Sequence, residues 1–366
     1  MTSDTTQRFD RAESLLRAGK AKKAERAFRD LLADKPAHLA ALKGLARALA
    51  EQGREVEAAE TRTEAAAVEA RNLYRIAEKL AEADKTRQAV DCLEQALTLD
   101  PDYLDAQWAL AEALHRLGKM SAARDAYARY AELDPDDPEA PHMVAALGGA
   151  PAPARVSDAF LAEHFDRYAD NFDSNLRDEL DYRAPEILFA AIEKPLAGRP
   201  KSARRDLAVL DLGCGTGLCA PLFRPIAKRL DGIDISPGMI AKARARKLYD
   251  RLVVGEIAAE LGKRRTRYDL ILAADVLVYF GDLGPVCAAV AARLKPGGLF
   301  AFSVEAGEGK EARLDMSGRY VHGTGHVRGA AKAAGLSVVG LDRVVLRTEY
   351  GKPVRGFAAV LGAPDA

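Results

Sequence analysis

The sequence predicts a multidomain protein in which an all-α helical array precedes an α/β domain with a mostly parallel seven-stranded sheet and a C-terminal antiparallel hairpin. Three observations support this fold class. Sequence markers in the range 1–140 recur at a regular period. From Leu207 onward, short apolar runs alternate with helical stretches, as in parallel sheets covered by helices. The last two extended stretches, 337–346 and 356–361, follow one another without a helix between them.

Length and composition bound the class of protein. A chain of 366 residues can form two domains with separate cores, and 48% hydrophobic with 30% charged residues excludes wholesale disorder. Residues 1–150 hold 22 Lys and Arg against 27 Asp and Glu, a net charge of −5 that the rest of the chain balances. A net charge of zero argues against a broad nucleic-acid footprint, so no nucleic-acid partner is expected.

The cysteine pattern and the apolar runs indicate the compartment. Four cysteines without C-x-x-C spacing argue against a disulfide framework or a zinc site, so we expect no metal and a reducing environment. The N-terminal residues lack the apolar core of a signal peptide, and the run 270–280 is too short to span a bilayer. We therefore expect a cytoplasmic protein that does not bind membranes.

The helical array covers residues 1–140. Gly19 and Gly53 have the same separation along the chain as Pro101 and Pro135. This period of about 34 residues resembles that of tetratricopeptide (TPR) repeats. Four repeats fit, one of them shortened, with Asp84 in the third where the others have a glycine between helices. The periodic small and large residues serve core packing. The resemblance implies protein or peptide binding, or self-association as a homo-oligomer, on the concave face.

Residues 141–156 are dense in Pro and Gly and predict a linker. Residues 157–200 then predict a helical lid for the second domain. Apolar residues at helical spacings form the stripe of this lid, at Phe165, Tyr168, Phe172, Leu176 and Leu180. The alternative is a helix that merely packs on the sheet.

The stretch that decides the second domain, residues 201–366, is a glycine loop. A buried strand, 207–212, runs into Gly213-Cys214-Gly215-Thr216-Gly217, where missing Cβ atoms let a ligand lie against the main chain and the following helix offers free N–H groups. A dinucleotide fingerprint would have its third glycine at Leu218. With Asp211 before it and Asp234 ending the next strand, the loop instead resembles motif I of class I S-adenosylmethionine (SAM)-dependent methyltransferases.

This resemblance implies SAM as the cofactor. Asp234 would accept both ribose hydroxyls, although it could instead cap the following helix. Glu256 would accept from the adenine amino group, where the family more often has Asp. Tyr168, Tyr182 and Arg183 are candidates for closing over SAM and meeting its carboxylate. The full set of predicted cofactor contacts is Asp211, Gly213, Cys214, Gly215, Gly217, Asp234, Ile235, Met239, Glu256, Ile257, Ala274, Asp275, Tyr168, Tyr182 and Arg183.

The acceptor end follows the fourth strand. Methyl transfer from a sulfonium is an in-line displacement, so a general base is optional. For a hydroxyl or amine acceptor, Asp275, Tyr279 and His322 are the candidate bases, whereas a carboxylate or thiolate acceptor needs none. Residues 274–279 lack the Asp/Asn-Pro-Pro-aromatic sequence of enzymes that methylate nucleobase amino groups. A polar loop with 317–322 and His326 would contact the acceptor.

The leading hypothesis is a SAM-dependent methyltransferase with an unidentified acceptor, whose array recruits a protein or carrier-bound substrate. The order of array, lid and α/β domain resembles that of bacterial TPR-containing methyltransferases. One alternative is a non-catalytic SAM-binding scaffold in which the array carries the biology. A nicotinamide-dependent oxidoreductase is a third hypothesis, disfavoured by Leu218 and the terminal hairpin.

Overall fold

A computed structural model describes residues 2–170, 172–174, 181–198, 205–349 and 351–365. The chain divides into two compact units, Met1–Asp136 and Asp137–Ala366. The first is helical and the second contains the sheet, which confirms the predicted fold class. Among the helices in these ranges, none is both long enough and apolar enough to cross a bilayer.

The first unit is a run of helices in which each packs against the next along the chain. Its core is made of the small and large apolar residues of the repeat pattern, with Ala24, Phe28, Leu45 and Ala58 almost fully buried. The helices are α1 Thr2–Arg17, α2 Ala21–Asp34, α3 Leu39–Ala50, α4 Glu55–Glu82, α5 Thr86–Leu99, α6 Leu104–Arg116 and α7 Met120–Leu133.

The turns between helices confirm the phase of the repeats. Gly19, Gly53 and Gly118 each end a helix in the left-handed region, with φ of +69°, +73° and +74°. Asp84 occupies the equivalent turn after α4 with φ +58°. Asp tolerates this region better than most residues with a Cβ. The residue in the place of the glycine therefore adopts the same conformation.

The shortened repeat has a structural explanation in α4. This helix runs for 28 residues without a break, through the region where a turn between the second and third repeats would fall. Residues 55–82 contain neither Gly nor Pro, so nothing in the local sequence terminates the helix. One continuous helix thus serves both repeats.

Residues 141–156, the predicted linker, lie within the second unit. The second unit begins at Asp137, and α8, Ala140–Ala146, belongs to it. The backbone N–H of Val156 donates to the carbonyl of Tyr279 at 2.9 Å, and that of Gly281 donates to the carbonyl of Ala154 at 2.8 Å. The prolines keep this segment extended, which suits it to pair beside another chain segment.

The central strands of the second unit, such as 207–212 and 268–273, are almost entirely buried, as expected for a sheet covered by helices. Pairings run parallel from β3 through β2, β1 and β4 to β5, and then antiparallel through β9 to β8. The predicted closing hairpin is therefore present. The strands are β1 Leu207–Leu212, β2 Ala227–Asp234, β3 Arg251–Val254, β4 Tyr268–Ala273, β5 Leu294–Ala306, β6 Ala312–Leu314, β7 Tyr320–His322, β8 Ser337–Glu349 and β9 Lys352–Gly362.

Two of these strands replace part of the predicted polar loop. β6 and β7 form a small antiparallel hairpin, and β7 pairs in parallel with the end of β5 through Val321 and His322. Tyr320, Val321 and His322 are buried, which explains why this stretch adds to the sheet instead of lying in solvent.

Helices cover both faces of the sheet. One core contains side chains of α14, α15 and α16, and the other contains Leu188, Ile192 and Leu196 of α11. The predicted lid, 157–200, is thus only partly a lid, because α11 packs on the sheet. Leu176 and Leu180 of the predicted stripe lie outside the described residues. The helices are α9 Asp158–Tyr168, α10 Phe172–Ser174, α11 Ala184–Ala197, α12 Ala220–Phe223, α13 Pro237–Ala245, α14 Ile257–Lys263, α15 Gly284–Ala291 and α16 Thr324–Ala333.

Candidate functional site

The glycine loop leaves β1 at the edge of the sheet where the carboxyl ends of the parallel strands meet, which is where such sheets bind ligands. Gly213 has φ +62°, and a Cβ on it would lie 2.4 Å from Cγ2 of Val276. Gly215 has φ +53°, with the Phe172 ring 3.8 Å from the position of its Cβ. The first glycine permits close packing against the segment after β4, and the second lies beneath the lid.

The element after the loop differs from the prediction. A helix with free N–H groups was expected there, but α12 has only 4 residues and continues into a short 3-10 helix. Pro221 and Pro225 lack backbone N–H groups and limit regular helix here. The loop and Cys219, the N-cap of this short helix, therefore form this wall of the site.

Asp234 is buried at the end of β2, with 7% of its surface exposed. Its Oδ2 accepts from the backbone N–H of Gly215 at 2.8 Å, and its Oδ1 accepts from that of Ser236 at 2.9 Å. Burial raises the pKa of Asp234, and these backbone N–H groups oppose the rise. The carboxylate is thus fixed between the glycine loop and the start of α13.

A cavity of about 410 Å³ opens over these elements, within the range of small-molecule sites. Its Asp234 end is formed by Asp234, Ile235, Met239, Glu256 and Ile257. Its Asp275 end is formed by Asp275, Tyr279, Arg319 and Arg347. In the sheet, β1 separates β2, which ends in Asp234, from β4, which precedes Asp275. Side chains of the lid complete the lining, at Leu161, His164, Phe165, Tyr168 and Phe172.

Family comparison agrees with this geometry. Residues 172–340 match a family model described as a methyltransferase domain, and residues 9–72 and 74–138 match one for the tetratricopeptide repeat. The chain carries a methyltransferase domain preceded by TPR repeats. The predicted order of TPR repeats and a methyltransferase domain is confirmed by these matches.

The curated relatives match through part of the methyltransferase domain. Methyltransferase-like protein 27 of Homo sapiens is 36% identical over 149 residues, which cover 39% of this chain and 58% of that protein. Malonyl-[acyl-carrier protein] O-methyltransferase of Acetivibrio thermocellus is 29% identical over 155 residues, which cover 40% of this chain and 50% of that protein. The chain thus spans little more than half the length of these relatives.

Solved structures with a similar chain course include magnesium protoporphyrin IX methyltransferase from Synechocystis PCC 6803 with bound SAM. It is 17% identical, with a TM-score of 0.42, and the match covers 58% of this chain and 100% of that chain.

The cavity brings together most of the residues that the sequence singles out. Gly217, Arg183 and His322 are not among its lining residues. The predicted residues that line the cavity are Asp211, Gly213, Cys214, Gly215, Asp234, Ile235, Met239, Glu256, Ile257, Ala274, Asp275, Tyr168, Tyr182 and Tyr279.

The three residues outside the lining have other positions. Gly217 faces Tyr249 and Arg246, whose side chains lie 3.0 and 3.2 Å from the position of its Cβ. Arg183 is exposed at the start of α11, and its backbone N–H donates to the carbonyl of Leu346. His322 is fully buried in β7, where burial lowers its pKa to about 4. A loop was expected here, but β7 pairs with β5, and this pairing places the imidazole inside the protein.

Glu256 lines the Asp234 end, but its carboxylate also caps a helix. Oε1 accepts from the backbone N–H of Ala258 at 3.0 Å, and Oε2 accepts from that of Ala259 at 2.7 Å. Oε1 also lies 3.7 Å from Nη1 of Arg155. The Glu side chain, which is longer than that of Asp, caps the first turn of α14.

Asp211 ends β1 beneath the cavity and is almost fully buried. Burial raises its pKa to about 7, while the hydroxyl of Tyr249, which donates to Oδ2 at 2.7 Å, lowers it. The neighbouring Asp234 contributes a smaller rise. This carboxyl group therefore changes protonation state near neutral pH.

The Asp275 end is a network of ion pairs. Nη1 of Arg347 lies 2.9 and 3.2 Å from the two carboxylate oxygens of Asp275, and Nε of Arg347 donates to Glu349 at 2.8 Å. Nη2 of Arg347 pairs with Glu305, whose pKa burial raises. Nη1 of Arg319 donates to Glu349 at 2.8 Å. Two guanidinium groups thus hold three carboxylates at this end.

Several charged residues of the site were not predicted from the sequence. No sequence signal distinguishes Arg347, because β8 also contains Asp342, Arg343 and Glu349. Arg155 lay within the predicted linker and was not considered. The lining residues without a sequence prediction include Arg155, Asp158, His164 and Arg347. Within the described ranges, no group of three or more His, Cys, Asp or Glu side chains is placed to hold a metal ion.

Proposed function

We propose that this protein transfers a methyl group from SAM to an acceptor held at the Asp275 end of the cavity. One observation carries the proposal: Asp234 and Glu256, at the ends of adjacent strands, line one cavity with the glycine loop. The carboxylates lie beside apolar Ile235, Met239 and Ile257, a combination that suits a ribose next to an adenine ring. The relatives named as methyltransferases support the same activity.

The lining also fits a cation. Among the described residues, it contains five carboxylates, from Asp158, Asp211, Asp234, Glu256 and Asp275, against three guanidinium groups. When bound, SAM supplies a methyl group activated by a positively charged sulfur. Asp211 and Tyr182, beside the glycine loop, would hold the amino acid portion, because a carboxylate favours a nearby ammonium group. Phe165 and Phe172 of the lid would exclude water from the reacting atoms.

The candidate bases differ in their fitness for proton removal. Both oxygens of Asp275 already accept from Arg347. Burial raises the pKa of Tyr279, so its hydroxyl stays protonated at neutral pH. His322 lies outside the cavity lining. The arrangement favours an acceptor held by Asp275 and Tyr279 through hydrogen bonds, with proximity providing most of the rate.

We place the recruitment of a protein or carrier-bound substrate, or self-association, in the TPR repeats. The support is the family match over 9–72 and 74–138. The acceptor atom, whether oxygen, nitrogen or sulfur, is left open by this proposal. The free cysteines, three of them buried, suit a reducing compartment such as the cytoplasm.

Transfer of a labelled methyl group from SAM into a lysate tests the proposal. The wild-type protein should label at least one lysate component. Gly215→Arg should not, because the new side chain enters the cavity beneath Phe172. Gly329→Arg is the matched control, since a Cβ there meets nothing within 4 Å on the surface of α16.

The same experiment decides between an enzyme and a scaffold. Binding of S-adenosylhomocysteine without any labelling, in lysates from several growth conditions, would favour the non-catalytic alternative. Labelling that persists in Gly215→Arg would contradict the assigned site.

A further inference from the structure

Three carboxylates of the lid lie outside the lining of the cavity. α9 and α10 cover the cavity with apolar and aromatic side chains, while Asp166, Asp170 and Asp173 follow at intervals of four and three residues. Asp166 lies in α9, Asp170 in the turn after it and Asp173 in α10. All three interact with the start or the length of α13, or with the glycine loop beside it.

Asp166 fastens the lid at the Asp234 end. Its Oδ1 accepts from the backbone N–H of Gly238 at 2.9 Å and also from the hydroxyl of Ser236. Ser236 is fully buried, and its own backbone N–H donates to Oδ1 of Asp234 at 2.9 Å. A single residue, Ser236, therefore links the lid to the carboxylate proposed to hold the ribose.

Gly238 shows how closely the lid approaches α13. A Cβ on this residue would lie 3.0 Å from Oδ1 of Asp166 and 3.1 Å from Cβ of Ala169. Ala169, at the end of α9, is buried. Since 3.0–3.4 Å is tighter than ordinary van der Waals contact, any side chain at Gly238 would push the lid away.

Asp173 fastens the lid at the glycine loop. Its carboxylate accepts from the hydroxyl of Thr216 and pairs with the guanidinium of Arg246. Nε of Arg246 donates to the carbonyl of Thr216 at 2.6 Å. Thr216 belongs to the loop and is almost fully buried. Next to Asp173, Phe172 lies over Gly215 and lines the cavity.

We propose that Asp166 and Asp173 are positioning residues that hold the lid closed over the cofactor and thereby set its rate of dissociation. This proposal rests on the proposed function. The two carboxylates lie outside the cavity lining, and each is tied to an element that forms the cofactor site: Asp166 through Ser236 to Asp234, and Asp173 through Thr216 to the glycine loop. Opening the lid requires both groups to lose charge-assisted hydrogen bonds.

Asp170 provides the matched control on the same lid. Its carboxylate pairs with Lys242 at 2.7 Å, but the two side chains are 86% and 45% exposed. Exposed ion pairs of this kind contribute little to stability, because water and salt screen the charges. Asp170→Ala removes the same charge from the lid without removing a contact to the cofactor site.

Stopped-flow measurement of S-adenosylhomocysteine binding and release by the full chain tests the proposal. Asp166→Ala and Asp173→Ala should each raise the dissociation rate about tenfold or more, while the association rate changes much less. Asp170→Ala should stay within about twofold of wild type. Melting temperatures measured without ligand separate this effect from a general loss of stability.

Conservative variants distinguish positioning from bulk packing. Asp166→Asn keeps an oxygen that accepts from Gly238 and should retain most of the slow release. Asp173→Asn loses the charge that pairs with Arg246 and should resemble Asp173→Ala. Should either alanine variant fail to fold, Gly238→Ala, which keeps both carboxylates, is expected to speed release by displacing the lid.

Wild-type release rates in Asp166→Ala and Asp173→Ala would overturn the proposal that these carboxylates hold the lid closed. If those variants fail to fold, a wild-type release rate in Gly238→Ala would do the same. Failure of the wild-type chain to bind S-adenosylhomocysteine contradicts the proposed function instead, so the two failures are distinguishable.

Discussion

Arg347 and Asp275, 72 residues apart in sequence, form a partly buried ion pair in which Nη1 lies 2.9 and 3.2 Å from the two carboxylate oxygens. Asp275 follows β4 with φ +58°, an uncommon conformation for a residue with a side chain, and its backbone N–H donates to Oγ of Ser303 at 2.8 Å. Strained residues of this kind persist where surrounding contacts determine them, and they cluster at functional sites. The pair fixes the side chain that is closest, in the proposed function, to the acceptor.

Loss of Arg347 should destabilise the second unit strongly. Its side chain is 2% exposed and pairs with three carboxylates. Arg347→Met removes the guanidinium partner of Asp275 and leaves Glu305 and Glu349 with Arg319 alone. We expect a loss of about 3–5 kcal/mol in the free energy of unfolding, measured by urea denaturation. Arg129→Met, which removes exposed surface pairs in the first unit, is the control and should change the free energy by under about 1 kcal/mol. If Arg347→Met also loses under about 1 kcal/mol, the ion-pair network contributes little to the free energy of unfolding.

Asp211 should make stability depend on pH. Burial raises its pKa from 3.8 to about 7, so between those values the folded state holds a proton that the unfolded state releases. Stability from this group therefore falls as pH rises from about 4 to 7, by at most about 1.4 kcal/mol for each pH unit. Asp211→Asn should remove this dependence while keeping an acceptor for Tyr249.

Urea unfolding of both proteins at several pH values between 4 and 7 isolates this contribution. The other titrating groups, such as His322, whose lowered pKa acts in the opposite direction, are common to the two proteins. Equal slopes for wild type and Asp211→Asn would show that Asp211 titrates normally in the folded protein.

The turn at Asp84 should be improved by glycine. Asp84 has φ +58° in a position where other repeats have Gly, so Asp84→Gly relieves backbone strain. We expect Asp84→Gly to raise the free energy of unfolding of the first unit by about 1 kcal/mol, and the reverse change Gly118→Asp to lower it by a comparable amount. The single Trp, Trp108 in α6, packs against Tyr127 and Tyr130 and reports the unfolding of this unit by fluorescence. A destabilised Asp84→Gly would indicate that the carboxylate has a structural role.

Much of the fold follows from short-range signals. Regularly spaced glycines and apolar runs of strand length fix the repeats and the central strands, because turn conformation and burial are properties of local sequence. The long helix α4 and the hairpin of β6 and β7 were not predicted. The first depends on the absence of a helix-terminating residue, and the second on pairing with the distant end of β5.

The residues of the site also divide into those that local sequence predicts and those that it does not. The glycine loop, Asp234 and Glu256 were predicted because each follows a strand along the chain. The Asp275 end was predicted only in part, because Arg347 reaches it from β8, far along the chain from Asp275. His322 was misjudged for the same reason, since its burial depends on strand pairing and not on its neighbours in sequence.

Calorimetric titration of the full chain with S-adenosylhomocysteine tests the central claim most directly. The wild-type chain should bind one molecule, and Asp234→Ala should bind about 100-fold more weakly or not at all, because two hydrogen bonds to a buried carboxylate are lost. Asp170→Ala should bind like the wild-type chain, and circular dichroism should show that both variants are folded. No heat of binding in the wild-type chain, or equal affinity in Asp234→Ala, would contradict the assignment of this cavity to the cofactor.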